Sequence, residues 1–298
     1  SLENLIVAYE KWITKTEGDI ASIEPVVLQS TAKTHLKNCK FYAERMRRGL
    51  LFLQSDSMAG KAFQLANRAV LFQQIHTRQN ARRIVYDEKN KRFRFPEPYL
   101  KPDPSGPGIK RGYWRAFQIA FLLATVESVA DNNGDERDIV ELIWFPTGGG
   151  KTEAYLGLAA FALLLRRMKD QEDDGVHVLM RYTLRLLTTQ QFLRASRLVC
   201  ALEQIRKEES RILGSRLFSI GLWVGGSSTP NTRADAMVVY KGLEKGDKYT
   251  ANKFVLDRCP WCGAQMGPLD EEQSKKSRVH LVGYYRAGNS VIFKCPDR

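Results

Sequence analysis

Apolar residues recur with a helical period over the first quarter of the chain. Leu50-Leu51-Phe52-Leu53 and the set Phe63, Leu65, Ala66, Val70, Leu71 and Ile75 follow it, and Asp56-Ser57 and Gly60 punctuate it. The pattern predicts a helical N-terminal domain over residues 1–78. Residues 79–112 break it: they are basic, then rich in proline and glycine, with Phe95-Pro96-Glu97-Pro98 and Pro102-Asp103-Pro104-Ser105-Gly106-Pro107-Gly108. Proline fixes φ and removes a backbone donor, so this stretch reads as a linker. After an apolar helical run from Tyr113 to Ala130, the period alternates. Residues 139–145, 176–180 and 218–224 are strand-like, and Lys151–Met168 and Leu186–Arg206 are helix-like. Strands alternating with long helices predict an α/β fold with a parallel sheet wound by crossovers, over residues 113–252. No internal repeat is visible.

Composition adds charge to this picture. The 298 residues are 43% hydrophobic, which supports an ordinary globular core, and the formal net charge is +13. No run of about 18 apolar residues occurs, so no membrane span is expected. Excess Lys and Arg favour a polyanion partner, because binding to phosphates releases counterions; solubility alone is the blander explanation. Arg82, Arg83, Lys89, Lys91, Arg92 and Arg94 interleave with Tyr86, Phe93 and Phe95. The chain starts Ser1-Leu2-Glu3-Asn4, with neither an initiator Met nor a signal pattern, and is expected to be a fragment of a longer protein.

Candidate chemistry centres on Pro146-Thr147-Gly148-Gly149-Gly150-Lys151-Thr152, between a predicted strand and a predicted helix. The strict phosphate-loop pattern wants Gly where Phe145 stands, but the shorter Thr-Gly-x-Gly-Lys-Thr form is complete. Glycines let backbone N–H groups turn toward phosphate oxygens, and the helix start adds its positive end. Lys151 is suited to reach the β- and γ-phosphates of ATP and the Thr152 hydroxyl to ligate Mg²⁺, which makes these two the catalytic candidates. Thr147, Gly148, Gly149 and Gly150 complete the cofactor-binding set. The bland alternative is a glycine turn that happens to precede Lys-Thr.

Cys259-Pro260-Trp261-Cys262-Gly263 has zinc-knuckle spacing, and Cys295-Pro296 begins a second half. Cys259, Cys262 and Cys295 are the metal candidates, with Zn²⁺ as the ion. The fourth ligand is expected to be a cysteine past Arg298, with His280 as runner-up. Short strands around 279–282, 284 and 291–293 suggest an incomplete zinc-ribbon-like module over 253–298. A redox Cys-x-x-Cys is the competitor, but no βαβ pattern surrounds it. Five scattered cysteines fit a reducing cytosol rather than a disulfide framework.

The loop with Pro-Thr before its glycines resembles that of superfamily 2 helicases. That likeness gives several neighbours a role. Arg115 and Gln118 match an upstream Arg-x-x-Gln element whose amide reads adenine; an ordinary helix start is the alternative. Arg181-Tyr182-Thr183-Leu184-Arg185-Leu186-Leu187-Thr188-Thr189-Gln190-Gln191 resembles motif Ia, and Gly225-Gly226-Ser227-Ser228-Thr229-Pro230-Asn231 resembles motif Ib. Thr183, Arg185, Gln190, Gln191, Gly225 and Thr229 would then contact a nucleic-acid backbone. The alternatives are a basic solvent-facing helix start and a helix capped at Thr229. Asp270-Glu271-Glu272 follows no hydrophobic strand and reads as a surface turn, not the motor's acidic pair.

The run Trp144-Phe145-Pro146-Thr147-Gly148-Gly149-Gly150-Lys151-Thr152-Glu153-Ala154-Tyr155-Leu156-Gly157, with Ala62-Phe63-Gln64-Leu65-Ala66-Asn67-Arg68-Ala69 and Arg181–Thr188, is most similar to the helicase-subunit (DrmA-type) family of bacterial DISARM phage defence. The resemblance covers most of the chain. It implies a RecA-like first helicase lobe, a cytoplasmic ATPase engaging DNA with little base specificity, and work beside a DrmB-like subunit and a methyltransferase. The downstream acidic pair, second lobe and arginine finger are missing from these residues, so the fragment alone is expected to be inactive. Another superfamily 2 restriction or repair translocase, or a non-hydrolysing scaffold binding zinc and nucleic acid, is the alternative.

Overall fold

The computed structural model describes residues 1–77, 81–101, 112–131, 133–146, 148–182, 185–226 and 229–297, with the side chains of 185–188 outside that description. The chain divides into two compact units. The first comprises Ser1–Val70, Arg111–Leu179 and Gln204–Leu217, and the second Leu71–Lys110, Met180–Glu203 and Phe218–Arg298.

The first unit is helical. Helices α1 (Leu2–Asp19), α2 (Val27–Ser55) and α3 (Ser57–Thr77, its last residues in the second unit) are followed by α4 (Ala116–Ala130) and α5 (Lys151–Lys169). The starts of α1 and α3 have a chemical cause. Ser1 caps α1 by accepting from the Asn4 amide at 3.2 Å, and Asp56 caps α3 by accepting from Met58 and Ala59 at 2.8 and 2.9 Å. Ile6, Met46, Leu50, Ile119, Leu122 and Leu123 form one core cluster. Burying each such side chain contributes about 1.5–3 kcal/mol. The α2–α4 approach depends on Gly49: a Cβ there would lie 1.8 Å from the Leu123 carbonyl oxygen. Gly157 does the same for α5, where a Cβ would meet the Trp114 ring at 2.8 Å.

The second unit holds most of α6 (Arg185–Glu208), then α8 (Arg233–Glu244) and α9 (Glu271–Ser277); a one-turn helix, α7 (Ser210–Leu213), follows α6 in the first unit. It also holds short antiparallel pairs: β1 (Val85–Asp87) with β2 (Arg92–Arg94), β3 (Gly267–Pro268) with β4 (Leu281–Val282), and β5 (Tyr284–Ala287) with β6 (Ser290–Phe293). Gly288-Asn289 closes the last hairpin, with Gly288 at φ +58°. Tyr240, Leu243, Met266 and Tyr284 make its core, and Phe254, Tyr284 and Phe293 meet edge to face.

The expected α/β fold, a RecA-like parallel sheet of a first helicase lobe, is overturned. Segments 139–145, 176–180 and 218–224 carry no ladder, and the sheets among the described residues are the three antiparallel pairs. A strand is a pairing, and a periodic segment without a partner backbone about 4.8 Å away does not make one. In the first segment the alternation is present, but its outer row faces water. Val140 is 91% exposed, Leu142 84% and Trp144 86%. No described helix is long and apolar enough to cross a membrane.

Candidate functional site

Helix α5 begins on a glycine turn. Gly148 and Gly150 have φ of +76° and +90°, a region costly to other residues, and Gly150 is the N-cap. A glycine cap supplies no side-chain acceptor, so the first amides of this 19-residue helix get no partner from it. Glu153 in the first turn and Arg166, Arg167 and Lys169 in the last complement the helix dipole. Lys151 and Thr152 open the helix, and the Lys151 ammonium donates to the Phe145 carbonyl. Thr147 lies outside the described residues.

Two upstream residues meet this turn. Arg115 Nη1 donates to the Gly149 carbonyl at 2.9 Å, and Gln118 Nε2 donates to the Gly150 carbonyl at 2.7 Å. Gln118 Oε1 also accepts from the Arg115 amide at 2.8 Å, so both ends of its buried amide are engaged. A Cβ on Gly150 would lie 2.6 Å from Gln118 Nε2, so the turn and the amide fit only because residue 150 is glycine. Phe145 stacks on Phe117 with centroids 4.0 Å apart, and a Cβ on Gly149 would meet the Phe145 ring at 2.7 Å. The loop is thus pinned from α4 by backbone-directed hydrogen bonds and a ring stack.

The nucleic-acid candidates lie in the second unit. Thr183 falls outside the described residues, as does the Arg185 side chain. Gln190 is exposed on α6, whereas the buried Gln191 Oε1 has no hydrogen-bond partner among the described residues. Gly225 and Thr229 line a shallow concavity of about 680 Å³ with Trp223 and Asn231. Thr229 is not the cap of the helix that follows. That role falls to Thr232, which accepts from the Asp235 amide at 3.0 Å, because α8 begins at Arg233. Asp270 likewise caps α9, and Glu271 and Glu272 pair with Lys248 and Lys276.

The three metal candidates come together. The sulfurs of Cys259, Cys262 and Cys295 all lie within 4.8 Å of one another. Gly263, at φ +71°, donates its amide to the Cys259 carbonyl at 3.0 Å and closes the knuckle. Hydrogen bonds from Cys262 and Cys295 pull the Cys259 thiol down to about 3, while facing that sulfur pushes Cys262 and Cys295 up. Three cysteine sulfurs this close offer a soft cation a set of ligands from which it can displace the thiol protons. The donor set therefore fits a thiolate-preferring metal such as zinc. His280 is not among the three; its ring packs on Gly246, where a Cβ would lie 2.6 Å from Nδ1.

Sequence reasoning missed what braces the knuckle. Arg82, grouped above with a basic surface, is 6% exposed. Its backbone exchanges hydrogen bonds with Gly263 and Gln265, both at 2.9 Å, and its guanidinium reaches the Glu97 and Cys262 carbonyls and Asp297 Oδ2. His76 stacks on Trp261. Nothing local in the sequence marks Arg82 apart from Arg83; only the fold does.

No protein-family profile matches the chain. It is 34% identical to a DISARM protein DrmA of Bacillus paralicheniformis, over 94% of this chain. That alignment spans 25% of the relative's length. The 298 residues are accordingly similar to one quarter of a DISARM protein DrmA.

Proposed function

We propose that the chain is the nucleotide-binding part of an ATP-dependent DNA translocase or helicase acting in phage defence. The observation that carries this reading is the glycine turn capping α5, held from α4 by Arg115 and Gln118, with Lys151 and Thr152 at the helix start. Backbone amides and the helix dipole favour phosphates there. In this reading Lys151 would hold the β- and γ-phosphates, Thr152 would ligate Mg²⁺, and Gly148, Gly149 and Gly150 would line the phosphates with Thr147. Arg115 and Gln118 set the loop's shape. Gln190, Gln191, Gly225 and Thr229, with Thr183 and Arg185, address a DNA backbone. A structural zinc held by Cys259, Cys262 and Cys295 stabilises the module around it. The similarity to DrmA supports a defence role beside other subunits of such a system, with hydrolysis an activity of the whole protein.

The test is DNA-stimulated ATP hydrolysis by the full-length protein beside its Lys151→Ala variant. Turnover that DNA raises and the substitution abolishes is expected. DNA and zinc binding without turnover in either protein would replace the motor with a scaffold built on the three-cysteine site.

A further inference from the structure

Arg45, in the middle of α2, is 1% exposed. A cation so far from water is costly unless paired. Its Nε donates to Glu136 Oε2 at 2.8 Å, and its Nη1 lies 2.5 Å from Glu141 Oε1. The second contact brings charges together without the alignment of a hydrogen bond, and Nη2 has no hydrogen-bond partner among the described residues. The guanidinium also faces the rings of Phe41 and Tyr42, each at 5.5 Å. The Tyr42 hydroxyl donates to the other Glu141 oxygen at 2.9 Å. Arg48, three residues on, binds the second Glu136 oxygen at 2.5 Å and Glu127 of α4 at 3.0 Å.

Both carboxylates sit on the segment that runs into the glycine turn. Four residues after Glu141 comes Phe145, whose carbonyl accepts Lys151 and whose ring stacks on Phe117. Apolar packing does not fix this segment on its outer side, where Val140, Leu142 and Trp144 stand in solvent. On its inward side ion pairs hold it, and their cation belongs to α2. We infer that Arg45 is a positioning residue for the phosphate loop, so that the N-terminal helices set the loop's geometry through Glu141 and Glu136. This rests on the nucleotide reading of the loop.

The experiment compares full-length wild-type, Glu141→Gln and Tyr42→Phe proteins. It measures affinity for a fluorescent ATP analogue with Mg²⁺, backbone hydrogen exchange over 139–150, and the unfolding midpoint. Glu141→Gln keeps size and polarity but removes the charge. It is expected to weaken nucleotide binding about fivefold or more, the scale of one charge-assisted contact, and to speed exchange at 139–150 while the cysteine module exchanges as before. Tyr42→Phe should do the same to a smaller degree. Binding within about twofold of wild type and unchanged exchange at 139–150, even with a lowered midpoint, would make the network purely structural and overturn the inference. If Glu141→Gln does not fold, Tyr42→Phe decides by the same criteria. If the wild type binds no nucleotide, the nucleotide reading falls, and exchange at 139–150 alone decides whether Arg45 and Glu141 anchor the segment.

Discussion

The imidazole of His76 lies flat on the indole of Trp261, ring centroids 3.6 Å apart and planes 19° from parallel. His76 lies in the last turn of α3, within the second unit, and Trp261 is inside the knuckle, so the stack braces the cysteine module. The imidazole is buried, its Nδ1 is 2.7 Å from the Phe72 carbonyl and its Nε2 3.0 Å from the Tyr99 hydroxyl. Burial lowers its pKa. His76→Ala is expected to destabilise the protein by about 2–3 kcal/mol, combining lost packing with lost hydrogen bonds. His76→Phe should recover part of that loss through stacking. Urea midpoints of the three proteins decide it, and equal midpoints for wild type and His76→Ala would refute the brace.

Metal content is the direct check on the knuckle. Purified protein is expected to carry one zinc, removable by a strong chelator, and Cys259→Ser to carry none. Because thiolates bind the metal and protons compete, retention should fail progressively on acidification. Elemental analysis of protein dialysed at several pH values reads this out. Full zinc content in Cys259→Ser would dissociate the three sulfurs from the metal.

Gly49 predicts a steric effect with no chemistry in it. The Cβ of Gly49→Ala would lie 1.8 Å from the Leu123 carbonyl oxygen, a backbone atom that cannot turn aside. The alanine gains roughly 1 kcal/mol of helix propensity, yet overpacking of this kind costs about 1–3 kcal/mol or more. A net loss of stability is expected by chemical denaturation. A more stable Gly49→Ala protein would mean that α2 and α4 are not so close in solution.

Acid sensitivity follows from Glu136. Burial pushes its pKa up, but the hydrogen bond from Arg48 and the charges of Arg45 and Arg48 outweigh it, and the net value lies below the ordinary 4.5. A carboxylate depressed in the folded chain takes its proton later than in the unfolded one. Its stabilising contribution is complete above the unfolded value and fades as pH falls through the folded value. Glu136→Gln should cost about 1–2 kcal/mol at neutral pH, and the two proteins should converge as the pH falls through the depressed folded value of Glu136. A gap that persists in acid would assign the loss to shape instead of charge.

For the loop, Gln118→Ala removes the donor on the Gly150 carbonyl and the acceptor for the Arg115 amide together. Under the proposed function, nucleotide affinity should fall about tenfold, roughly the worth of one or two hydrogen bonds. Unaltered affinity would leave Gln118 a helix-start residue only.

The glycine turn, the long helices and the cysteine knuckle were legible because each is encoded locally. A helical period, a run of three glycines before Lys-Thr, and Cys-x-x-Cys spacing need no distant partner to be recognised. Sheet formation was not legible, since alternation marks a segment that can pair and says nothing of whether a partner backbone lies beside it. Arg82, His76 and Arg45 escaped for a related reason. Arg82 and Arg45 look like two more charges, and His76 like a surface or packing histidine, until the fold closes over them, and their partners Asp297, Trp261 and Glu141 are far along the chain. The helix start after Gly225 was misplaced by three residues because two threonines, Thr229 and Thr232, offer the same cap chemistry.

The solvent-facing row of Val140, Leu142 and Trp144 also has a colloidal meaning. Alternating apolar side chains on an unpaired segment are a template on which another copy can add edge to edge. What opposes that association in dilute buffer is mutual repulsion between molecules of formal charge +13. Added salt shortens the range of that repulsion, to about 3 Å at 1 M, and leaves the apolar row as sticky as before. Light scattering should therefore rise with ionic strength while the circular dichroism spectrum stays constant, and a polar residue at position 144 should suppress the rise.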